Sequence, residues 1–283
     1  MIETARTTWR MAEPYHGMIY FSPEAGAAYK DLGLSFQTGY FASRSAAFGV
    51  VPSAVVVATF YNFNPVLVRD AIGKAWSTVE PAAVLRARYA AVDQTLRRVL
   101  GDAVDSPEIA RAGSLLRAAA ETIVDDVAGR PLFAAHAALP WPDEPHLVLW
   151  HAQTLLREYR GDAHVAALLL AGLSGVEALV THAASGSVSG ETLRKTRAWS
   201  EEEWQGAIES LRERDWLSDA PEPTFTDHGA ARRAEIERVT DENSTAPYAS
   251  LGEDGCVEVQ GLIRPFSRTL ADALMPWLLA KRP

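Results

Sequence analysis

The chain has 283 residues, 48% of them hydrophobic and 22% charged, enough to bury the core of one large globular domain or two modest ones. Lys and Arg number 27 against 36 Asp and Glu, a net charge of -9, which runs against non-specific nucleic-acid binding because phosphates must be met by cations. The single cysteine, Cys256, excludes an internal disulfide framework and a multi-cysteine metal site and fits a reducing, cytoplasmic setting.

The first ten residues carry Glu3 and Arg6 and no apolar run, so no signal peptide is expected. The most apolar stretch, 165–173, is too short to span a bilayer, and no membrane partner is expected. The region 9–76 is rich in aromatics, among them Tyr15, Tyr20, Tyr29, Tyr40, Phe41 and Phe63. These fill a helical core, or some of the tyrosines line a pocket with their polar tips. From Glu80 to Leu100 the residues Leu85, Tyr89, Val92 and Leu96 recur near a 3.6 period between Pro81 and Gly101, which predicts a helix. Ile109, Leu116, Ile123 and Val127 predict another over 107–127. Three prolines in 140–145 exclude helix there. A helix is predicted over 146–159, a break at Arg160-Gly161-Asp162, and a further helix over 163–173 with Asp162 as its N-cap.

Beyond a polar turn at Ser185-Gly186-Ser187, a short helix is expected over 191–196. Ser200 and Glu203 are spaced as a capping box opening a helix with Trp204, Ile208 and Leu211 on one side. A Pro/Asp segment, Thr224 to Gly229 and a closing helix over 230–239 complete the plan of a winged helix with a small two-stranded wing. The expected fold is therefore mostly α, with a helical domain over 1–160, a winged-helix-like domain over 161–245 and a helical tail over 246–283. In that tail Leu270, Leu274, Trp277 and Leu278 form a stripe that docks on its own chain or on a second subunit of a homodimer.

Leu211 to Leu217, followed by Phe225-Thr226-Asp227-His228-Gly229, resembles the recognition helix, wing and Leu-Thr-x-x-Gly turn of MarR-type regulators. Nearly the whole chain resembles an actinobacterial helix-turn-helix family of SCO-type conserved proteins. That likeness is carried by Tyr40-Phe41-Ala42-Ser43-Arg44, Phe63-Asn64-Pro65, Ala138-Leu139-Pro140-Trp141-Pro142 and Leu156 to His164. It implies no particular activity. Just upstream of the Ala138 run it implies Asn where this chain has His136.

DNA is not an expected partner. Residues 200–219 hold seven acidic side chains against Arg212 and Arg214, and the wing has Asp219, Glu222 and Asp227 in place of a basic tip. Arg194, Lys195, Arg197, Arg232 and Arg233 are the cations through which a rival reading, a ligand-responsive MarR-type regulator, would touch a backbone. No P-loop, dinucleotide fingerprint or Gly-x-Ser-x-Gly is present, so no cofactor is expected. His146 and His151 are wrongly spaced to share a metal on one helix face, and no metal is expected. The expected function is small-molecule binding, with acid/base catalysis as an extension. His16 or His164 would move a proton with Asp162 orienting it. Arg44 and Arg160 would clamp a carboxylate or phosphate, and Tyr20, Tyr40, Phe63 and Glu158 would line the ligand. The competing reading makes Asp162 a helix cap and Glu158 the partner of Arg160. On the ligand reading, His16→Ala or Arg44→Ala abolishes binding and leaves the melting temperature nearly unchanged.

Overall fold

The computed structural model describes residues 1–186 and 188–276. Among them the regular structure is helical, with no strand. A lone antiparallel bridge between Leu217 and Phe225 stands where the two-stranded wing was expected. That expectation is corrected by the chemistry of the segment. Pro221 and Pro223 have no N–H to give a ladder, and the turn closes instead through Ser218 N–H to the Thr224 carbonyl and Thr226 N–H to the Trp216 carbonyl.

The chain forms two compact units. The first gathers Met1–Val50, Lys74–Asp162 and the chain from Asp241 onward. Here helix Ile2–Gly17 packs along helix Gly252–Leu274, which also meets Pro107–Glu121, while Pro81–Leu100 receives Pro23–Asp31 and Phe36–Ser45. Tyr15, Met18, Leu96, Ile109, Leu116 and Trp150 are closed from solvent at its centre. Gly39 permits the contact between two of these helices, because a Cβ there would lie 2.3 Å from the Tyr29 ring.

Helix Pro81–Leu100 starts at its proline and stops at Gly101 with φ +57, as the sequence predicts. The helix from Pro107 ends at Glu121, short of Val127, where Thr122 turns its hydroxyl back onto the Ala119 carbonyl and the poor helix formers Asp125 and Asp126 follow. The break expected at 160–162 is absent: one helix covers Pro145–Leu170. Gly161 costs it only about 1 kcal/mol, less than the burial of the flanking Tyr159 and Ala163 supplies. Asp162 is therefore not an N-cap of its own helix. Cys256 is buried, its thiol directed at the Tyr248 carbonyl 3.6 Å away, and burial raises its pKa. Leu270 is buried and Leu274 packs on the core, whereas Trp277 and Leu278 of the expected stripe lie outside the described residues.

The second unit comprises Val51–Gly73 and Ala163–Thr240. Helices Gly175–Ala184 and Glu201–Glu213 each open on a capping box, Ser174 with Glu177 and Ser200 with Glu203. Helix Gly190–Thr196 lies between them in sequence, and its turn into Glu201–Glu213 passes through Ala198 at φ +59. Ser187, in the polar turn before it, is outside the described residues. Leu193, Trp204, Ile208, Leu211 and Trp216 share one core. Thr226 caps the helix Asp227–Asn243 by accepting the Gly229 N–H at 2.9 Å. Gly229 is required there, since a Cβ would fall 1.9 Å from the Trp216 carbonyl oxygen. Among the described residues no single helix is long and apolar enough to cross a membrane.

Candidate functional site

A buried polar centre lies within the first unit, and helix Pro145–Leu170 supplies one wall of it. Trp150, His151, Thr154, Arg157 and Glu158 follow the i, i+1, i+4, i+7, i+8 pattern that puts side chains on one helical face. Helix Phe36–Ser45 brings Tyr40 and Arg44, four residues apart, from the other side. Arg44 Nη2 donates to both carboxylate oxygens of Glu158, at 3.1 and 3.2 Å, and Nη1 donates to the Tyr40 hydroxyl at 3.2 Å. Arg157 donates to Glu158 at 3.0 Å and to Glu13 at 2.9 Å. The Glu158 side chain is only 3% exposed. Burial opposes its charge, but the guanidiniums of Arg44 and Arg157 outweigh that and hold its pKa at about 2.

His16 stacks on Trp150 with ring centroids 5.4 Å apart and bonds Thr154 and Tyr20 at 3.0 Å each. Its tautomer follows from the neighbours. The Thr154 hydroxyl spends its hydrogen on the Trp150 carbonyl, so His16 Nδ1–H donates to Thr154 and Nε2 accepts from Tyr20. Burial, then Arg157, Arg88 and Arg44, hold His16 well below the usual imidazole range, so it is a neutral acceptor at physiological pH. His136 donates Nε2–H to the Arg44 carbonyl at 3.2 Å, and burial and Arg88 bring its pKa to about 4. His151 meets the Tyr89 hydroxyl at 2.8 Å, and burial, His136 and Arg88 bring it to about 3.

Arg88, from helix Pro81–Leu100, is 1% exposed. Its guanidinium sits 4.9 Å over the Trp150 ring, and Nη1 makes one long contact, 3.4 Å, with the Ser43 hydroxyl. That hydroxyl also accepts from Tyr29 at 2.9 Å. Nε and Nη2 of Arg88 are buried without a hydrogen-bond partner. So are His151 Nε2 and both amide atoms of the fully buried Gln153.

Of the residues singled out from sequence, His16, Tyr20, Tyr40, Arg44 and Glu158 meet here. The others do not. Arg160 pairs with Asp241 at 2.7 Å and lies 4.4 Å over the Trp9 ring. Asp162 accepts the Phe133 N–H at 2.9 Å, capping helix Pro131–Ala137, and burial lifts its pKa to about 7. His164 and Phe63 belong to the second unit, where His164 bonds Thr240 at 3.0 Å and Phe63 lies under Arg197. Sequence reasoning missed Arg88 and Arg157, and weighed His151 only as a metal ligand. It noted His136 only as a departure from the resemblance. No group of three or more His, Cys, Asp or Glu that could hold a metal occurs among the described residues.

The second unit places helices Gly190–Thr196 and Glu201–Glu213 in consecutive helix-turn-helix order. Four of its basic side chains are paired locally: Arg194 with Glu201, Lys195 with Glu191, Arg214 with Glu177, Arg233 with Glu237. Arg212 donates to the Ser218 and Ala220 carbonyls. Residues 5–276 match the model of a helix-turn-helix family, and the chain belongs to that family. No curated protein and no solved structure matches it.

Proposed function

We propose that this helix-turn-helix chain binds a small anionic molecule in the buried centre of its first unit. The observation that carries the reading is Arg88, a closed-off guanidinium with Nε and Nη2 unpartnered. Buried charges are ordinarily paired, because leaving one unpaired costs several kcal/mol. Beside it Arg44 pairs with Glu158 and Arg157 with Glu158 and Glu13, while among the described residues no carboxylate pairs with Arg88. One positive charge is left over, and His16, His136 and His151 are held neutral beside it. A carboxylate or phosphate accepting from the Nε–Nη2 edge of Arg88 would supply the missing charge in the planar two-point geometry that guanidinium favours. His151 Nε2, likewise buried without a partner, offers a further polar atom. Binding, not acid catalysis, is the role His16 suits, since it does not titrate near neutral pH.

The test compares thermal unfolding of wild type and Arg88→Gln in a low-salt zwitterionic buffer with added acetate, inorganic phosphate or neutral acetamide. Acetate or phosphate is expected to stabilise the wild type by about 2.7 kcal/mol at a hundredfold excess over its dissociation constant, with no response to acetamide. Arg88→Gln, relieved of an unpaired buried charge, is expected to match or exceed wild-type stability without anion and to lose the anion response. A variant that is destabilised in every buffer, or a wild type indifferent to both anions, would refute the proposal.

The family membership favours a second reading, a regulator that binds DNA through the second unit. The acidic helix Glu201–Glu213 and its locally paired cations argue against it. Mixed genomic and promoter fragments titrated at low salt are expected to show no binding. Tight binding that weakens steeply with salt would bring the DNA reading forward.

A further inference from the structure

We infer that the anion taken by the buried centre of the first unit is a planar monocarboxylate, gripped by Arg88 Nε–H and Nη2–H and by the Nε2–H of His151. The inference rests on the reading of that centre as an anion site. Charge sets the valence. Arg44 and Arg157 are matched by Glu158 and Glu13, so the charge left over is the single one of Arg88. A dianion would bring a second negative charge into this interior with no cation left to meet it. Only a proton on a neighbouring imidazole could balance it, and burial above all holds His136 at about 4 and His151 at about 3.

The donors set the shape. Several N–H groups of the centre are already spent: Arg88 Nη1 on the Ser43 hydroxyl, Trp150 Nε1 on the His16 carbonyl and His136 Nε2 on the Arg44 carbonyl. Arg88 Nε and Nη2 remain, two N–H groups on one edge of a plane, matched to the two oxygens of a carboxylate. His151 adds a third donor. It follows Trp150, over whose ring Arg88 lies, and the Arg88 charge helps to hold it neutral. The Tyr89 hydroxyl is 2.8 Å from His151 Nδ1 and has no other hydrogen bond among the described residues. A phenol is the stronger acid and an imidazole nitrogen the stronger base, so Tyr89 donates and Nδ1 accepts. The one ring proton of the neutral imidazole then sits on Nε2, which is buried and unpartnered. Three donors suit two coplanar oxygens. A tetrahedral anion has further oxygens to satisfy, and the Trp150 ring beneath Arg88, its own N–H spent, offers them nothing.

Thermal unfolding of the full chain at pH 8, where phosphate is a dianion, with acetate, sulfate or phosphate added in the low millimolar range, tests it. Wild type is expected to bind acetate about tenfold or more tightly than either dianion, and Arg88→Gln to respond to none of them. Each variant is read against its own anion-free baseline. His151→Leu is expected to weaken acetate about tenfold, the loss of one hydrogen bond to a charged group, while His151→Gln, which keeps an N–H, stays within about threefold of wild type. Imidazole nitrogen spectra of the wild type give a readout that needs no variant: the His151 proton is expected on Nε2 and to shift when acetate is added. Indifference to all three anions refutes the anion reading and this inference together. A response to sulfate or phosphate as strong as that to acetate leaves the anion reading standing and overturns the carboxylate. So does a His151→Leu protein that answers acetate as wild type does, or a His151 ring proton found on Nδ1.

Discussion

Glu158→Ala is expected to lower the melting temperature of the first unit by roughly 10 °C. The carboxylate is 3% exposed and accepts from both Arg44 and Arg157. Removing it leaves like charges facing one another out of water, a loss of about 3–5 kcal/mol. In a chain of this size each kcal/mol moves the transition by about 2–4 °C. Arg44→Ala is expected to cost less, because Arg157 still neutralises Glu158. It does not leave the melting temperature nearly unchanged, as sequence alone suggested, since the ion pair with Glu158 is lost. The double variant should fall short of the sum of the two singles, the signature of direct coupling. Scanning calorimetry reads all three. A Glu158→Ala protein melting within a few degrees of wild type would show that the centre does not hold its charges as described.

The second large effect is on pH dependence. His16, His136 and His151 have folded pKa values below the imidazole value of about 6.5, with His136 at about 4 and His151 at about 3. Between those values and 6.5 the unfolded chain binds protons that the folded chain refuses, so the stability they contribute is present above pH 6.5 and is lost as pH falls toward 4. Asp162 opposes them. Its folded pKa of about 7 lies above its ordinary 3.8, so its contribution is complete below 3.8 and fades as pH rises through 7. Near pH 5.5 three histidines gain protons on unfolding and one aspartate loses one, a net uptake of about two. Unfolding free energy is therefore expected to fall by about 2–3 kcal/mol for each pH unit in that window. Glu158 adds to the loss only below pH 4.5, as pH approaches its folded value of about 2. Urea titrations at pH 7, 6 and 5 give the slope, and a flat profile would mean that the imidazoles are not held neutral. His136→Asn should remove about one proton from the uptake.

How legible this was depended on whether a side chain's role is local. Caps and stops are local: Pro81, Gly101, and the pairing of Ser200 with Glu203 appear in the sequence in the same form that they take in the fold. The wing was misread because Phe225-Thr226-Asp227-His228-Gly229 looks like the end of a strand, while Pro221 and Pro223 deny the turn the donors a ladder needs. The break at Gly161 was misread for a related reason. A glycine and a capping-type aspartate signal a helix end, yet the Asp162 carboxylate caps a different helix 29 residues upstream. The site divides in the same way. His16, Tyr20, Tyr40 and Arg44 stood out as polar groups among aromatics. Arg88 did not, although Val84, Arg88, Ala91, Val92 and Thr95 all lie on the buried face of one helix. A charged residue in the middle of an apolar stripe is the signal that would have found it. What periodicity could not supply is that Arg88, His136 and Glu158 converge, because they come from three helices joined only by tertiary packing.

Cys256 gives the chain a practical property. It is the single thiol, fully buried and with its ionisation suppressed by that burial, so the thiolate that alkylating reagents attack is scarce and out of reach. A cysteine introduced at an exposed position, such as Leu169 on the second unit or Phe21 on the first, would be the one reactive sulfur on the native protein. Spin labels or fluorophores could then be attached at a chosen point with the wild-type interior left unaltered.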